Sequence, residues 1–207
     1  MRSAAFAAIS LLMAALLAVG PVAAQNGKPA PPIRSAAESP LPGDSVYQLD
    51  ARFVDESGKR SSFRQMRGYV RAVGMFYTSC KFICPLIVDS GLGIDKQLSA
   101  DERARLGITL ISMDAARDTP AKLMAVAKQR RLDLTRWNLV TPAAGDVPGV
   151  AGVLGVKYRR LSDGEFNHTS ALILLDRDGR ELARTEQLGS VPDPAFVKAV
   201  RRALAER

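Results

Sequence analysis

The chain has 207 residues and a formal net charge of +8, and 47% of its residues are hydrophobic. A chain of this length and apolar content can bury a core, which excludes intrinsic disorder for most of it. No glycine-rich phosphate loop is present, and the scattered basic residues are not interleaved with aromatic ones, which argues against nucleic-acid binding. The positive charge is compatible with an acidic partner or an anionic membrane surface, and equally with a solvated face that has no specific role.

Residues 1–24 predict a secretory signal peptide. Arg2 precedes an uncharged apolar run over 4–19, and the small residues at 22–24 form a cleavage site. The run is short for a spanning helix, and an uncleaved membrane anchor is the alternative. Residues 25–41 are rich in proline and predict a flexible arm. The folded domain is therefore expected over 42–207, exported to a bacterial periplasm.

Strand-like and helix-like segments alternate along this domain. The predicted strands are 46–54, 60–63, 69–77, 107–113, 137–140, 155–160, 171–176 and 181–185, and the predicted helices are 85–98, 119–131, 147–154 and 193–206. A hairpin comes first, β-α-β-α-β units follow, and a second hairpin and a helix end the chain. This order predicts an α/β fold, a thioredoxin-like mixed sheet flanked by helices, with an added N-terminal β-hairpin.

Three side chains can carry thiol or imidazole chemistry, because the sequence contains two cysteines, Cys80 and Cys84, and one histidine, His168. The cysteines follow the predicted strand 69–77 and lead into a helix, which is the thioredoxin-like position for a dithiol. A helix N-terminus favours the thiolate, the reactive and metal-binding form. The pair is compatible with metal binding, with disulfide exchange or with a minor structural disulfide, since an exported protein can keep one.

His168 precedes the predicted strand 171–176, whose start lies beside the dithiol in a thioredoxin-like sheet. A generic thioredoxin has a proline at this place, whereas this chain has His168-Thr169-Ser170. Two thiolates and one imidazole are soft ligands that suit copper, with zinc second. Zinc would take a fourth ligand, whereas copper(I) accepts three. The alternative is a surface or core histidine with no ligand role.

Four short segments occur in a fixed order: FYTSCKFICP from Phe76 to Pro85, DAARDTP from Asp114 to Pro120, GVKY over 155–158 and HTS over 168–170. They resemble the motifs of the Sco/SenC family, thioredoxin-like copper-binding proteins that assist cytochrome c oxidase assembly. The resemblance covers about residues 49–186.

The resemblance implies a copper site formed by Cys80, Cys84 and His168. It implies a copper chaperone whose partner is the copper-centre subunit of cytochrome c oxidase, with other periplasmic copper or thiol proteins as further partners, and we expect a monomer. The family commonly has proline and then an acid after its first cysteine, where this chain has Lys81 and Phe82, and an Asp before its histidine, where this chain has Asn167. By electrostatics, these changes disfavour bound cations, and copper(II) most of all.

A second hypothesis is a thiol–disulfide oxidoreductase, in which Cys80 and Cys84 form the catalytic redox pair without stable copper binding and His168 tunes a thiol. Under this hypothesis the protein is an enzyme, whereas under the copper-chaperone hypothesis it is not. A third, peroxide reduction by Cys80, is disfavoured because the peroxiredoxin threonine-proline pattern is missing. The acidic and basic residues Asp114, Arg117 and Asp118 have either a structural role or a role in partner docking.

Overall fold

The computed structural model describes residues 40–206, and a seven-stranded mixed sheet lies at its centre. The nine described strands are β1 (Arg52–Asp55), β2 (Arg60–Ser62), β3 (Val70–Phe76), β4 (Leu106–Ser112), β5 (Trp137–Pro142), β6 (Tyr158–Arg160), β7 (Phe166–His168), β8 (Leu172–Leu175) and β9 (Glu181–Thr185). The central sheet has the order β2-β1-β5-β4-β3-β8-β9. Strands β3, β4 and β5 run parallel to one another, and the other neighbours in the sheet pair antiparallel.

Five helices accompany these strands in the described residues: α1 (Ile83–Gln97), α2 (Ala100–Arg105), α3 (Pro120–Gln129), α4 (Val147–Val153) and α5 (Pro194–Ala205). The predicted α3 start is confirmed, since the Thr119 hydroxyl accepts a hydrogen bond from the Lys122 amide and Pro120 is the first helical residue. The predicted fold is confirmed as well: a mixed sheet flanked by helices, with an N-terminal β1–β2 hairpin.

The hydrophobic core lies along the central strands. All seven residues of β4 and all four of β8 are buried. Strands covered on both faces read as continuous apolar runs, which is why their sequences show no alternation of polar and apolar residues.

Helix α1 approaches the sheet closely at one glycine. A Cβ atom on Gly91 would lie 2.4 Å from Cη2 of Trp137, so only glycine fits there. The indole nitrogen of Trp137 donates to Asp95 over 3.1 Å, and both terminal nitrogens of Arg136 donate to the same carboxylate. The middle and the C-terminal part of α1 are therefore positioned by contacts with the start of β5 and the residue before it, and Trp137 is a buried core residue.

The element boundaries correct the sequence expectation at several places. Residues 46–48 form a 3-10 turn, and only the last part of the predicted strand 46–54 is extended. Phe63 begins a second 3-10 turn instead of ending β2, and the predicted strand 155–160 is reduced to β6. Strand β7 and helix α2 were not predicted. Strand β7 pairs with β6 in a separate two-stranded sheet, which we call the β6–β7 hairpin.

The predicted signal peptide and almost all of the predicted arm over 25–41 lie outside the described residues. Within 40–206, no helix combines the length and the apolar character needed to cross a membrane.

Candidate metal centre

The two cysteines lie where the sequence places them, between β3 and α1. Cys80 is in the loop and Cys84 is the second residue of α1, and both are buried and present as free thiols. The amide of Cys84 donates a hydrogen bond to the sulfur of Cys80 over 3.4 Å. The Cys80 sulfur therefore lies at the N-terminus of α1, where the exposed amides and the helix dipole stabilise negative charge.

The two thiols differ in acidity. Burial acts to raise the pKa of Cys80, but hydrogen bonds from the side chain and the amide of Cys84 outweigh it, so the pKa lies below its ordinary value. Burial raises the pKa of Cys84, and its hydrogen bond to Cys80 raises it further. Cys80 is therefore the first of the pair to become a thiolate.

A buried carboxylate holds the start of the cysteine loop. Asp118 is 2% exposed and accepts hydrogen bonds from the amide of Thr78 at 2.9 Å, from the Thr78 hydroxyl at 2.5 Å and from the Ser112 hydroxyl at 2.6 Å. These bonds tie the loop to the end of β4. Asp118 thus has the structural role that was one of the two expectations for this motif.

His168 is the last residue of β7 and lies opposite Tyr158 in the β6–β7 hairpin. Its Nδ1 atom lies 3.0 Å from the carbonyl oxygen of Thr169 and 3.3 Å from the Ser170 hydroxyl. Because a carbonyl oxygen can only accept, the neutral ring carries its proton on Nδ1 and its lone pair on Nε2. That Nε2 atom is buried and has no hydrogen-bond partner among the described residues.

A buried nitrogen without a partner is costly in a folded protein. An imidazole whose Nδ1–H is held by a backbone carbonyl, with Nε2 free, is the arrangement that metal-binding histidines use. The donor chemistry of His168 and of the two thiols therefore fits a soft metal ion.

Tyr77 connects the thiols with the histidine. Its ring lies 6.0 Å from the His168 ring in an edge-on arrangement, and its hydroxyl interacts with Cys80. The hydroxyl also donates to Glu165 over 2.8 Å, which ties the β6–β7 hairpin to the end of β3. No sequence motif indicated this role for Tyr77 or for Glu165.

The three ligand candidates are neighbours without being assembled. The cysteines line a cavity of about 190 Å³ together with Tyr77, whereas His168 lines a cavity of about 900 Å³ that reaches Ile83 in the cysteine motif. Within residues 40–206, no three His, Cys, Asp or Glu side chains are close enough together to hold a metal ion. Binding by all three residues therefore requires His168 and the thiols to approach each other.

Arg117 makes a second link to the β6–β7 hairpin. It forms an ion pair with the buried Asp114 and donates to the carbonyl oxygen of Gly164, in the turn between β6 and β7. The segment DAARDTP therefore contacts both parts of the candidate centre. Asp118 holds the cysteine loop, and Arg117 holds the turn of the β6–β7 hairpin.

Comparison with known proteins agrees with this architecture. The family profile SCO1/SenC matches residues 43–205. The SCO1 protein homolog of Bacillus subtilis is 23% identical over 154 residues, which are 73% of this chain and 79% of the relative. A relative from Stutzerimonas stutzeri is 33% identical over 139 residues, covering 65% of this chain and 66% of its own length. The crystal structure of yeast Sco1 with copper bound superposes with a TM-score of 0.63 at 19% identity, covering 77% of this chain and 88% of the yeast chain. Because the family profile covers most of its length, the chain belongs to the SCO1/SenC family.

Proposed function

We propose that this protein binds copper(I) through Cys80, Cys84 and His168 and supplies it as cargo to the copper centre of cytochrome c oxidase in the periplasm. The observation that carries this proposal is the buried Nε2 atom of His168, which keeps its lone pair and has no hydrogen-bond partner among the described residues. Two thiolates and one imidazole nitrogen form a soft three-ligand set, which copper(I) accepts.

The family relationship supports the same ion. Yeast Sco1, whose fold this chain shares, has been crystallised with copper bound, and the name of the Stutzerimonas relative refers to copper binding. Cys80 supplies the more acidic thiol, and Cys84 enters the first turn of α1 next to it. In this proposal His168 completes the set when the β6–β7 hairpin approaches the cysteine loop.

The thiol pair alone would also serve the second hypothesis, a thiol–disulfide oxidoreductase. In that reaction both thiols lose their protons and two electrons, and a disulfide substrate is reduced. Such chemistry needs no ligand on the buried Nε2 atom of His168. It therefore does not explain why this nitrogen is buried without a hydrogen-bond partner, which costs folding free energy. The imidazole therefore favours copper binding over a purely redox role.

A competitive titration tests the proposal. The purified, fully reduced chain is titrated with copper(I) against a chelator, in parallel with Cys84→Ser and His168→Ala. We expect one tightly held copper per chain and a loss of affinity of at least about 100-fold in each variant, because ligand loss costs more than the loss of a group that only orients a ligand. Unchanged affinity in His168→Ala would exclude the histidine as a ligand. Absence of tight copper in the parent chain would leave the oxidoreductase hypothesis.

A further inference from the structure

One aromatic side chain of the candidate centre is in solvent. Phe82 lies between the two cysteines and is 85% exposed, and its neighbour Lys81 is also exposed. Leaving a phenylalanine ring in water forgoes the free energy gained by burying it. Aromatic residues are enriched in protein–protein interfaces.

Two exposed basic residues line a cavity that reaches the cysteine motif. Lys157 and Arg159 are exposed and line the cavity of about 900 Å³ that also contains Ile83 and His168. The cavity therefore extends from Ile83, which follows Phe82 in the chain, to the β6–β7 hairpin, where the two basic residues lie. Within residues 40–206, no salt bridge involves Lys81, Lys157 or Arg159.

Acidic groups near this region do not cancel its charge. Glu186 lines the cavity, whereas the carboxylate of Glu165 accepts the hydrogen bond from Tyr77. Two cations without ion pairs, Lys157 and Arg159, thus line the cavity together with one carboxylate, and Lys81 adds a further positive charge two residues before Ile83. We call Lys81, Phe82, Lys157 and Arg159 the basic rim.

We propose that the basic rim docks an acidic segment of a partner protein, with an apolar side chain of that segment packed on the Phe82 ring. Opposite charges at the rim of an interface guide encounter and orientation, and the aromatic ring supplies the buried contact. The inference rests on the proposed function in so far as this partner is the protein that exchanges copper with the thiols and His168. It adds the chemistry of the partner surface, which is acidic around an apolar residue.

Two synthetic peptides provide the probe. Both have the same length and a central leucine, flanked by glutamates in one peptide and by lysines in the other. Binding to the full chain is measured by fluorescence anisotropy at low and at physiological salt, and NMR shifts of the backbone amides locate the contact. We expect the acidic peptide alone to bind, more weakly at higher salt, with shifts at residues 81, 82, 157 and 159.

Matched variants separate a local surface from overall charge. The double variant Lys157→Glu/Arg159→Glu should weaken binding roughly tenfold, and Phe82→Ala about threefold, which are ordinary sizes for rim charges and one aromatic contact. The control Arg60→Glu/Arg64→Glu changes the net charge by the same amount. Both residues are exposed and lie in and just after β2, an edge strand of the central sheet. It should change binding less than twofold.

Three results would overturn the inference: equal binding of the lysine peptide, equal weakening by the control pair, or no effect of Phe82→Ala. A membrane surface would replace the acidic protein as the occupant if the basic-rim variant lost binding to phosphatidylglycerol vesicles while the acidic peptide failed to bind. Copper(I) titration of the same samples keeps the two proposals apart. The basic-rim variant should bind copper(I) like the parent chain, and a parent chain without copper affinity would refute the proposed function alone.

Discussion

The loop that carries Cys80 and Cys84 is fastened to the central sheet by buried groups, whereas the hairpin that carries His168 is a two-stranded sheet of its own. Asp118 holds the first region through three hydrogen bonds. The β6–β7 hairpin is linked to the end of β3 through Tyr77 and to the acidic motif through Arg117. An isolated two-stranded hairpin is only marginally stable, so the few contacts that reach it determine where His168 lies.

This difference explains why the three candidate ligands are near each other and yet not assembled. The thiol half is formed by the fold itself, with the Cys80 sulfur at the start of α1. The β6–β7 hairpin, which carries the imidazole, can move towards the thiols at a lower cost in free energy than the cysteine loop can move towards the hairpin, because few hydrogen bonds have to change. In the proposed copper site, we therefore expect the ion to meet the dithiol first and His168 to join afterwards.

The largest expected effect comes from disturbing the helix behind the thiols. Gly91→Ala places a methyl group 2.4 Å from the Trp137 ring, and this overpacking should lower the free energy of unfolding by about 3 kcal/mol. Urea denaturation measures the change. Gly152→Ala in α4 is the control, because nothing lies within 4 Å of its added Cβ, and alanine there should be neutral or stabilising. A loss below about 1 kcal/mol in Gly91→Ala would show that α1 adjusts easily and that the thiol half is less rigid than the contacts indicate.

A somewhat smaller effect is expected for the anchor of the cysteine loop. Asp118→Ala leaves the Thr78 amide and the two hydroxyls without their acceptor, which should cost about 2 kcal/mol of folding free energy. Copper(I) affinity should fall about tenfold, because the loop that positions Cys80 is released. Asp50→Ala removes the same charge at an exposed position, whose carboxylate makes no hydrogen bond or ion pair within residues 40–206. It should change neither the folding free energy nor the copper(I) affinity. If the two variants behave alike, Asp118 does not anchor the loop.

The smallest effect concerns the hairpin. Tyr77→Phe removes the hydrogen bond to Glu165 and should lower stability by about 1 kcal/mol. Hydrogen exchange should become faster at the amides of residues 158–168 and stay unchanged in β4, since the hydroxyl bonds to the hairpin at Glu165 and Phe166 and makes no bond with β4. Tyr158→Phe is the control, because Tyr158 lies on the hairpin itself and its hydroxyl makes no hydrogen bond within residues 40–206. Uniformly faster exchange over the whole domain would contradict the separation of the two regions.

The sequence predicts the thiol half better than the imidazole half. Cys80 and Cys84 follow an apolar run and precede a helix, so their position depends on neighbours in the chain. His168 was expected near the dithiol from its place before β8, and the pairing of β8 with β3 puts it at that edge. Its position on β7 was missed, because the pairing of β6 with β7 has no strong hydrophobic pattern.

Two of the other differences between prediction and structure come from contacts between residues that are far apart in the chain. Residues 46–48 look strand-like, but the amide of Val46 bonds to the carbonyl oxygen of Gly179, far along the chain, and the segment turns there. Helix α2 was overlooked although Ser99 and Glu102 form a capping box that the sequence shows. The Tyr77–Glu165 bond joins residues 88 positions apart. No local sequence pattern predicts such a contact.

The most direct test of the copper site is X-ray absorption at the copper K-edge of the copper(I)-loaded chain and of its His168→Ala variant. The proposed ligands predict two sulfur atoms and one imidazole nitrogen around the ion in the parent chain, and loss of the nitrogen with both sulfurs retained in the variant. Identical spectra for the two proteins would contradict the account, because the unpartnered imidazole nitrogen would then have no part in holding copper.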